Sequence, residues 1–501
     1  MLQAAEAAWK QRDYQRSISI LEQASRSLPD NPQLLLQLAR CHGLCHNYAA
    51  AEKYFERIVK VTREKNETFM AAGLHFLNFG QFETAGHYFE RALKQNGDSI
   101  EIFARLAEIR ERQNRLDEAA DLIERALSLN ADFIPAQLIQ ARLHRLSGQL
   151  DKAEMLLRSL VNKPNPDSEL RARAWYELGA VLDKLSRFDA AMTAFLEAKA
   201  CVIPTDAQKA ARLAARNELG KTAGAISSAM LRRWQAAGEK FKPRHKLAIL
   251  CGHPRSGTTL LEQVLDAHPG IVSAEETNIF YEEAFVPLGR GAAADAHFIP
   301  VLDSIAPSLL RQSRTNYFRC MERFLAQSIG NRWLIDKNPS LISLIPAIIR
   351  IFPETRFLVA LRDPRDVCLS CFMQPLFPTQ RISATYPTLE TTVTDYSLTM
   401  GLWQTLKPIM PNPFLEVRYE DLVENLEAVA RRTLEFLEAP WDDRVLQFQK
   451  HAQNKIVRSP TYSDVRQPVT KRAVGRWRNY QKYLEPYLPT LEPLVKAFGY
   501  E

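Results

Sequence analysis

Residues 247–270 read LAILCGHPRSGTTLLEQVLDAHPG, and this stretch decides how the second half of the chain folds. The apolar run Leu247-Ala248-Ile249-Leu250 reads as a buried strand. It enters a loop whose Gly252 and Gly257 have the G-x-x-x-x-G spacing of a nucleotide-binding loop, and an amphipathic helix follows from Thr258 through Leu265. Backbone N–H groups at the start of such a helix point outward together and favour an anion. Gly257 lets the chain pass close to a phosphate, Thr258 and Thr259 add hydroxyl donors, and Arg255 adds a fixed positive charge. The lysine that would reach a β- or γ-phosphate is absent, with Thr258 in its place. No obvious acidic strand end is available for Mg²⁺. The loop therefore suits a monophosphate, and nucleoside triphosphate hydrolysis is disfavoured.

A second strand is expected at Arg356–Leu361, followed by Arg362-Asp363-Pro364-Arg365-Asp366. An arginine at the C-terminal end of a buried strand sits where α/β folds bind ligands. Alone, Arg362 would read as the ion-pair partner of Asp363 or Asp366. Ser370, two helical turns on, gives it a companion for an anion.

The first half of the chain is an internal repeat. Tyr14, Tyr48, Phe82, Leu116 and Leu150 are each 34 residues apart, and Phe188 follows after 38, the excess matching the polar insertion NKPNPDSE. Three residues after each marker comes a small residue (Ser17, Ala51, Ala85, Ala119, Ala153, Ala191). Seven after it comes a bulky one (Leu21, Phe55, Phe89, Ile123, Leu157, Phe195). Offsets of 3 and 7 mark one helix face. A 34-residue period with this face resembles the tetratricopeptide repeat (TPR), and Trp175-x-x-Leu178-Gly179 resembles the start of its motif. Six units spanning residues 1–200 are expected to stack into a solenoid, which serves as a packing platform or as a groove for a peptide. Residues 201–246 read as an Ala-rich, largely helical connector that seals the last repeat, with the α/β domain occupying 247–501.

Composition narrows the alternatives. The 501 residues are 46% apolar and 25% charged, ordinary for a soluble globular protein. No window approaches the roughly 18 consecutive apolar residues of a membrane span, and the N-terminus lacks a secretory pattern. The formal charge of +7 is local: residues 201–250 hold ten basic and three acidic residues, while 1–200 balance at 27 each and 251–501 at 28 each. A basic connector of this kind reads as a solvated helix face, and nucleic acid is not expected as a partner. Seven scattered cysteines read as reduced thiols of an intracellular protein. Cys41-His42-x-x-Cys45-His46 on one helix is a poor zinc site, and Cys368-x-x-Cys371 inside a helix reads as packing; no metal is expected.

Taken in order, P-R-S-G-T-T-L-L after a strand, then Leu265-Asp266-Ala267-His268-Pro269, Glu275-Glu276-Thr277, Asp336-Lys337-Asn338-Pro339, L-R-D-P-R-D-x-x-x-S, Tyr419-Glu420-Asp421-Leu422 and Lys455-Ile456-Val457-Arg458-Ser459 resemble the sulfotransferases that use 3′-phosphoadenosine-5′-phosphosulfate (PAPS), and within them the tyrosylprotein sulfotransferases. The resemblance covers about residues 247–480. It implies a sulfotransferase fold with a central parallel sheet, PAPS as donor and 3′,5′-ADP as product. By position it makes Glu276 the base that takes the acceptor proton and Lys337 the cation at the leaving bridging oxygen. Arg255 and Ser459, with Thr461 or Ser463 as nearby substitutes, would bind the sulfonate. Ser256, Gly257, Thr258 and Thr259 would line the 5′-phosphate loop, Arg362 and Ser370 the 3′-phosphate, and Tyr419 and Arg476 the nucleotide. Gln374 departs from the pattern where a further phosphate-binding arginine is expected. A membrane anchor and lumenal disulfides are not seen, and an appended repeat array resembles bacterial fusions, which implies a cytoplasmic enzyme. The expected acceptor is a hydroxyl, first a protein or peptide tyrosine presented by the TPR groove. A saccharide or small molecule, or a catalytically silent adaptor, are the rivals.

Overall fold

The computed structural model describes residues 1–163, 167–238, 240–241, 245–292, 296–375, 386–453 and 467–501. The chain divides into two compact units, Met1–Leu143 with Phe318–Ser328, and His144–Tyr317 with Ile329–Glu501. The expected class, an all-helical repeat array followed by an α/β domain, is what the structure has.

Each of the six repeat markers is the first residue of a helix: Tyr14–Ser27, Tyr48–Val61, Phe82–Asn96, Leu116–Leu129, Leu150–Asn162 and Phe188–Cys201. The small and bulky residues at offsets 3 and 7 are all buried. The small positions let paired helices close up. A Cβ on Gly73 would lie 2.6 Å from the Phe89 ring, and one on Gly179 would lie 2.7 Å from the Phe195 ring. Two residues before every marker the backbone turns left-handed, at Arg12, His46, Gly80, Asn114, Gly148 and Ser186, with φ between 56° and 77°. The next N–H then bonds back across the helix end, as in Asn47 to His42 O at 2.8 Å and Gln81 to Phe76 O at 2.8 Å, which satisfies an orphan carbonyl.

Within the first unit the Cys-His cluster is packing. Cys41 Sγ lies 3.6 Å from Ser17 Oγ, and His42 stacks on Tyr54 at 5.3 Å. Burial pushes the His42 imidazole down to about 4, so it stays neutral.

The connector is two helices, Asp206–Ala225 and Ser228–Gly238, interrupted at the extended residue Ile226. The first opens on a Thr205/Gln208 capping box. These helices pack against the α/β part of the second unit. Arg216 Nε donates to Asp395 at 2.6 Å, and Trp234 Nε1 donates to Asp303 at 2.7 Å.

Five parallel strands follow: β1 Lys246–Gly252, β2 Ile271–Glu275, β3 Trp333–Lys337, β4 Arg356–Leu361 and β5 Phe414–Arg418. Their spatial order is β2-β3-β1-β4-β5. Strands β1 to β4 are buried nearly throughout, as expected of parallel strands with helices on both faces, whereas edge strand β5 is half-buried. The chain passes from β3 on one side of β1 to β4 on the other, so the crevice at the C-terminal end of β1 is a switch point. The register brings Glu275 beside Lys337 and Leu250 beside the same lysine.

Candidate active site

The loop leaves β1 at Gly252 (φ 149°), where a Cβ would lie 2.5 Å from Ala360 O on β4. It ends at Gly257, left-handed at φ 89°, which serves as N-cap of the helix Thr258–Asp266 without any side-chain cap. Among the described residues no side chain caps this first turn, the arrangement expected where a helix start faces an anion. A Cβ on Gly257 would come 2.6 Å from the Tyr419 ring. If the loop holds the phosphate that its sequence suggests, replacing Gly257 with alanine is expected to weaken 3′,5′-ADP binding about tenfold, through both the left-handed φ and the clash with Tyr419. Isothermal titration with 3′,5′-ADP checks this, and an unchanged Kd would refute it.

Arg255 is also left-handed, at φ 73°. Its Nε donates to Ser370 Oγ at 3.0 Å, and its carbonyl accepts from Arg362 Nη1 at 3.1 Å. The sequence assigned Arg255 to the sulfonate and the Arg362–Ser370 pair to a second phosphate; the structure knits all three into one cluster. Arg362 is buried at the end of β4, its guanidinium 4.9 Å from the centre of the Tyr419 ring and 3.8 Å from Asp366. Its Nη2 donates to Ala473 O at 2.6 Å, yet its buried Nε has no hydrogen-bond partner. An unsatisfied buried N–H costs about 1–3 kcal/mol, and an anion at this point would satisfy it.

Beneath the loop, His253 is fully enclosed, its Nδ1 3.0 Å from Pro254 O and 3.7 Å from Cys371 Sγ. Burial pushes His253 down to about 4 and Cys371 up to about 12, so both support the loop as neutral groups. Cys368 and Cys371 are both free.

The second cluster stands at the C-terminal ends of β2 and β3. Lys337 is 0% exposed, and three carboxylates surround its Nζ: Glu276 at 2.9 Å, Glu275 at 3.4 Å and Glu262 at 3.8 Å. Thr259 Oγ1, on the first turn of the loop helix, accepts from it at 3.3 Å. Burial alone would lower the lysine's pKa, but Glu276, Glu262 and Glu275 outweigh it and hold the pKa above the ordinary value. The three carboxylates thus favour the charged form of Lys337. Glu262 is itself fixed by Ser273 Oγ at 2.5 Å. Glu276 differs from its two companions: its side chain is 35% exposed, and its backbone is left-handed at φ 49°, with its N–H on Lys337 O at 2.6 Å. Strained residues of this kind cost about 1–3 kcal/mol and cluster at functional sites.

The structure thus brings together Arg255, Ser256, Gly257, Thr258, Thr259, Arg362, Ser370 and Tyr419 around the loop, with Lys337 and Glu276 joined to it through Thr259. Arg476 lies instead against Asp183, at 2.8 Å, and Met373. Ser459, Thr461 and Ser463 lie outside the described residues. Sequence reasoning missed Glu262, whose only signal was a carboxylate on the buried face of the loop helix. It named Asp366 only as an ion-pair partner of Arg362, which it is at 3.8 Å, and missed that the same carboxylate accepts the N–H of Gly475 at 2.7 Å and of Trp477 at 2.8 Å.

The Sulfotransferase family profile matches residues 248–443, and tetratricopeptide repeat profiles match 8–67, 76–143 and 138–203. Residues 248–443 are a sulfotransferase-family domain. An uncharacterized protein of Aquifex aeolicus (strain VF5) is 26% identical over 67% of this chain and 43% of its own length. Protein-tyrosine sulfotransferase A of Caenorhabditis elegans is 24% identical over 50% of this chain and 66% of its own. The chain therefore spans less than two thirds of these relatives. Among solved structures, the sulfotransferase domain of the Synechococcus PCC 7002 olefin synthase aligns with 49% of this chain and 95% of its own, at 20% identity and a TM-score of 0.35. Among the described residues no helix of the sulfotransferase domain or the repeats is long and apolar enough to cross a membrane.

Proposed function

We propose that the chain transfers the sulfonate of PAPS to an acceptor hydroxyl, with a tyrosine of a protein or peptide as acceptor. The observation that carries this reading is the pairing of a buried lysine, Lys337, with a partly exposed carboxylate, Glu276, at 2.9 Å beside a loop helix without a side-chain cap. PAPS supplies a sulfonate already activated on a phosphate. Gly257, Thr258 and Thr259, with Ser256, would hold its 5′-phosphate, and Arg362 with Ser370 its 3′-phosphate. The orphan Nε of Arg362 fits that assignment. A loop without the phosphate-binding lysine, with the Arg362–Ser370 pair beside it, agrees with a donor that is not a triphosphate.

In this reading Glu276 takes the proton of the acceptor hydroxyl at its exposed carboxylate. Lys337 answers the negative charge that develops on the leaving oxygen, and it needs no reorganisation to do so because the three carboxylates already fix it in place. Arg255 and the segment around Ser459 are assigned to the sulfonate oxygens. Residues 247–501 form the catalytic domain, 201–246 the connector, and 1–200 the TPR array whose groove holds the acceptor protein. A cytoplasmic location belongs to the same reading, supported by seven free thiols.

A thermal-shift titration tests it. At about 100 times its Kd a ligand stabilises the native state by about 2.7 kcal/mol. The expected result is a strong shift with 3′,5′-ADP, a weak one with 5′-ADP, and loss of the difference in Arg362→Ala. A shift with Mg·ATP alone would assign the loop to a nucleoside triphosphate and overturn the reading.

A further inference from the structure

On the sulfotransferase reading above, we propose that Asp183, on the first helix of the last repeat, is a positioning residue of the nucleotide site, so that this repeat is a working part of the site. Asp183 lies near the end of the helix Ser168–Lys184 and its side chain is 14% exposed. A single oxygen, Oδ1, accepts from Arg476 Nη2 at 2.8 Å, Arg476 Nε at 3.3 Å and the Tyr480 hydroxyl at 2.7 Å. Tyr480 is fully buried, and Phe188, the marker residue of the same repeat, meets its ring edge-on at 5.4 Å. At the rim, Asp189 accepts from Lys482 at 2.8 Å and Tyr483 at 3.1 Å.

The segment these contacts hold, residues 473–483, is gripped from its other side by the anion cluster. Arg362 donates to Ala473 O, Asp366 accepts from the N–H of Gly475 and Trp477, and the Arg365 guanidinium lies 4.2 Å from the centre of the Trp477 ring. Arg476 is thus suspended between the repeat and the phosphate-binding arginine. An arginine side chain carries several rotatable bonds, and fixing it in advance removes an ordering cost from ligand binding. Asp183 takes one edge of the guanidinium, Nε and Nη2, and leaves the Nη1 donors for a ligand. A charge-assisted pair in a half-buried setting is strong enough to set that orientation.

The test uses the full chain and 3′,5′-ADP as probe, with Kd from calorimetry and ligand-free Tm measured alongside. Asp183→Ala is expected to weaken 3′,5′-ADP about tenfold, the scale of one charge-assisted hydrogen bond, with kcat at saturating PAPS changed less than threefold. Asp183→Asn, which keeps the acceptor oxygen, is expected to recover part of the affinity. The decisive measurement is the cycle with Arg476→Ala: in that background Asp183→Ala should cost nothing further. Wild-type affinity in Asp183→Ala, tighter binding, or the same loss in the Arg476→Ala background each overturn the proposal while the sulfotransferase reading stands. Should Asp183→Ala not fold, Asp183→Asn carries the same cycle. Failure of the unaltered chain to bind 3′,5′-ADP at all is the separate outcome that removes the functional reading, and this proposal with it.

Discussion

Replacing Glu276 with glutamine is expected to lower kcat by about 10²–10⁴-fold, the usual contribution of a positioned general base, while Tm and the Kd for 3′,5′-ADP stay near those of the unaltered protein. Three carboxylates face Lys337, and only Glu276 is open to an acceptor, since Glu262 and Glu275 are buried. Glutamine keeps the shape and an oxygen for the lysine at 2.9 Å, so the local packing has no reason to change. What it loses is the ability to take a proton. Single-turnover transfer from labelled PAPS to a tyrosine peptide, measured beside the thermal shift with 3′,5′-ADP, separates chemistry from binding. A variant whose kcat remains within threefold of the original would mean that Glu276 is only the lysine's counter-ion.

The contrast between Glu276 and its neighbours shows where the sequence was readable. The repeat array was legible because close packing forces a small residue opposite a large one in every unit, and that demand leaves a period in the sequence. The left-handed turn before each marker was not legible: Arg12, His46, Asn114 and Ser186 fill it as well as Gly80 and Gly148. The hydrogen bonds back across the helix end, not the residue type, hold that conformation. The loop at 252–259 was legible because glycine is required where a Cβ would strike Ala360 O or Tyr419.

The three-carboxylate cage was only partly visible. Glu275 and Glu276 are adjacent, but Glu262 reaches the lysine from the loop helix, where its one sequence signal is a carboxylate on the buried face. Its burial is decided by the distance between helix and sheet. The placement of Arg476 against Asp183 escaped for a similar reason: the partners are 293 residues apart and belong to different sequence patterns. Long-range ion pairs leave no spacing to read.

Lys337→Met is expected to fail in two ways at once, and their separation is informative. Turnover should fall by about 10²–10³-fold, the range for loss of one preorganised electrostatic donor. Stability should also fall, because the lysine is fully buried and its removal leaves Glu262 and Glu275 enclosed without a cation. Breaking a buried pair from one side costs about 3–5 kcal/mol, which corresponds to a Tm drop of roughly 4–7 °C for a unit of about 350 residues. The two losses have different remedies. Adding Glu262→Gln and Glu275→Gln to Lys337→Met removes the uncompensated charges and should restore most of the Tm. It should restore none of the turnover, since no cation then faces the leaving oxygen. Recovery of turnover together with Tm would show that Lys337 acts only as the keystone of the cage. An unchanged Tm in the single variant would show that water reaches those carboxylates.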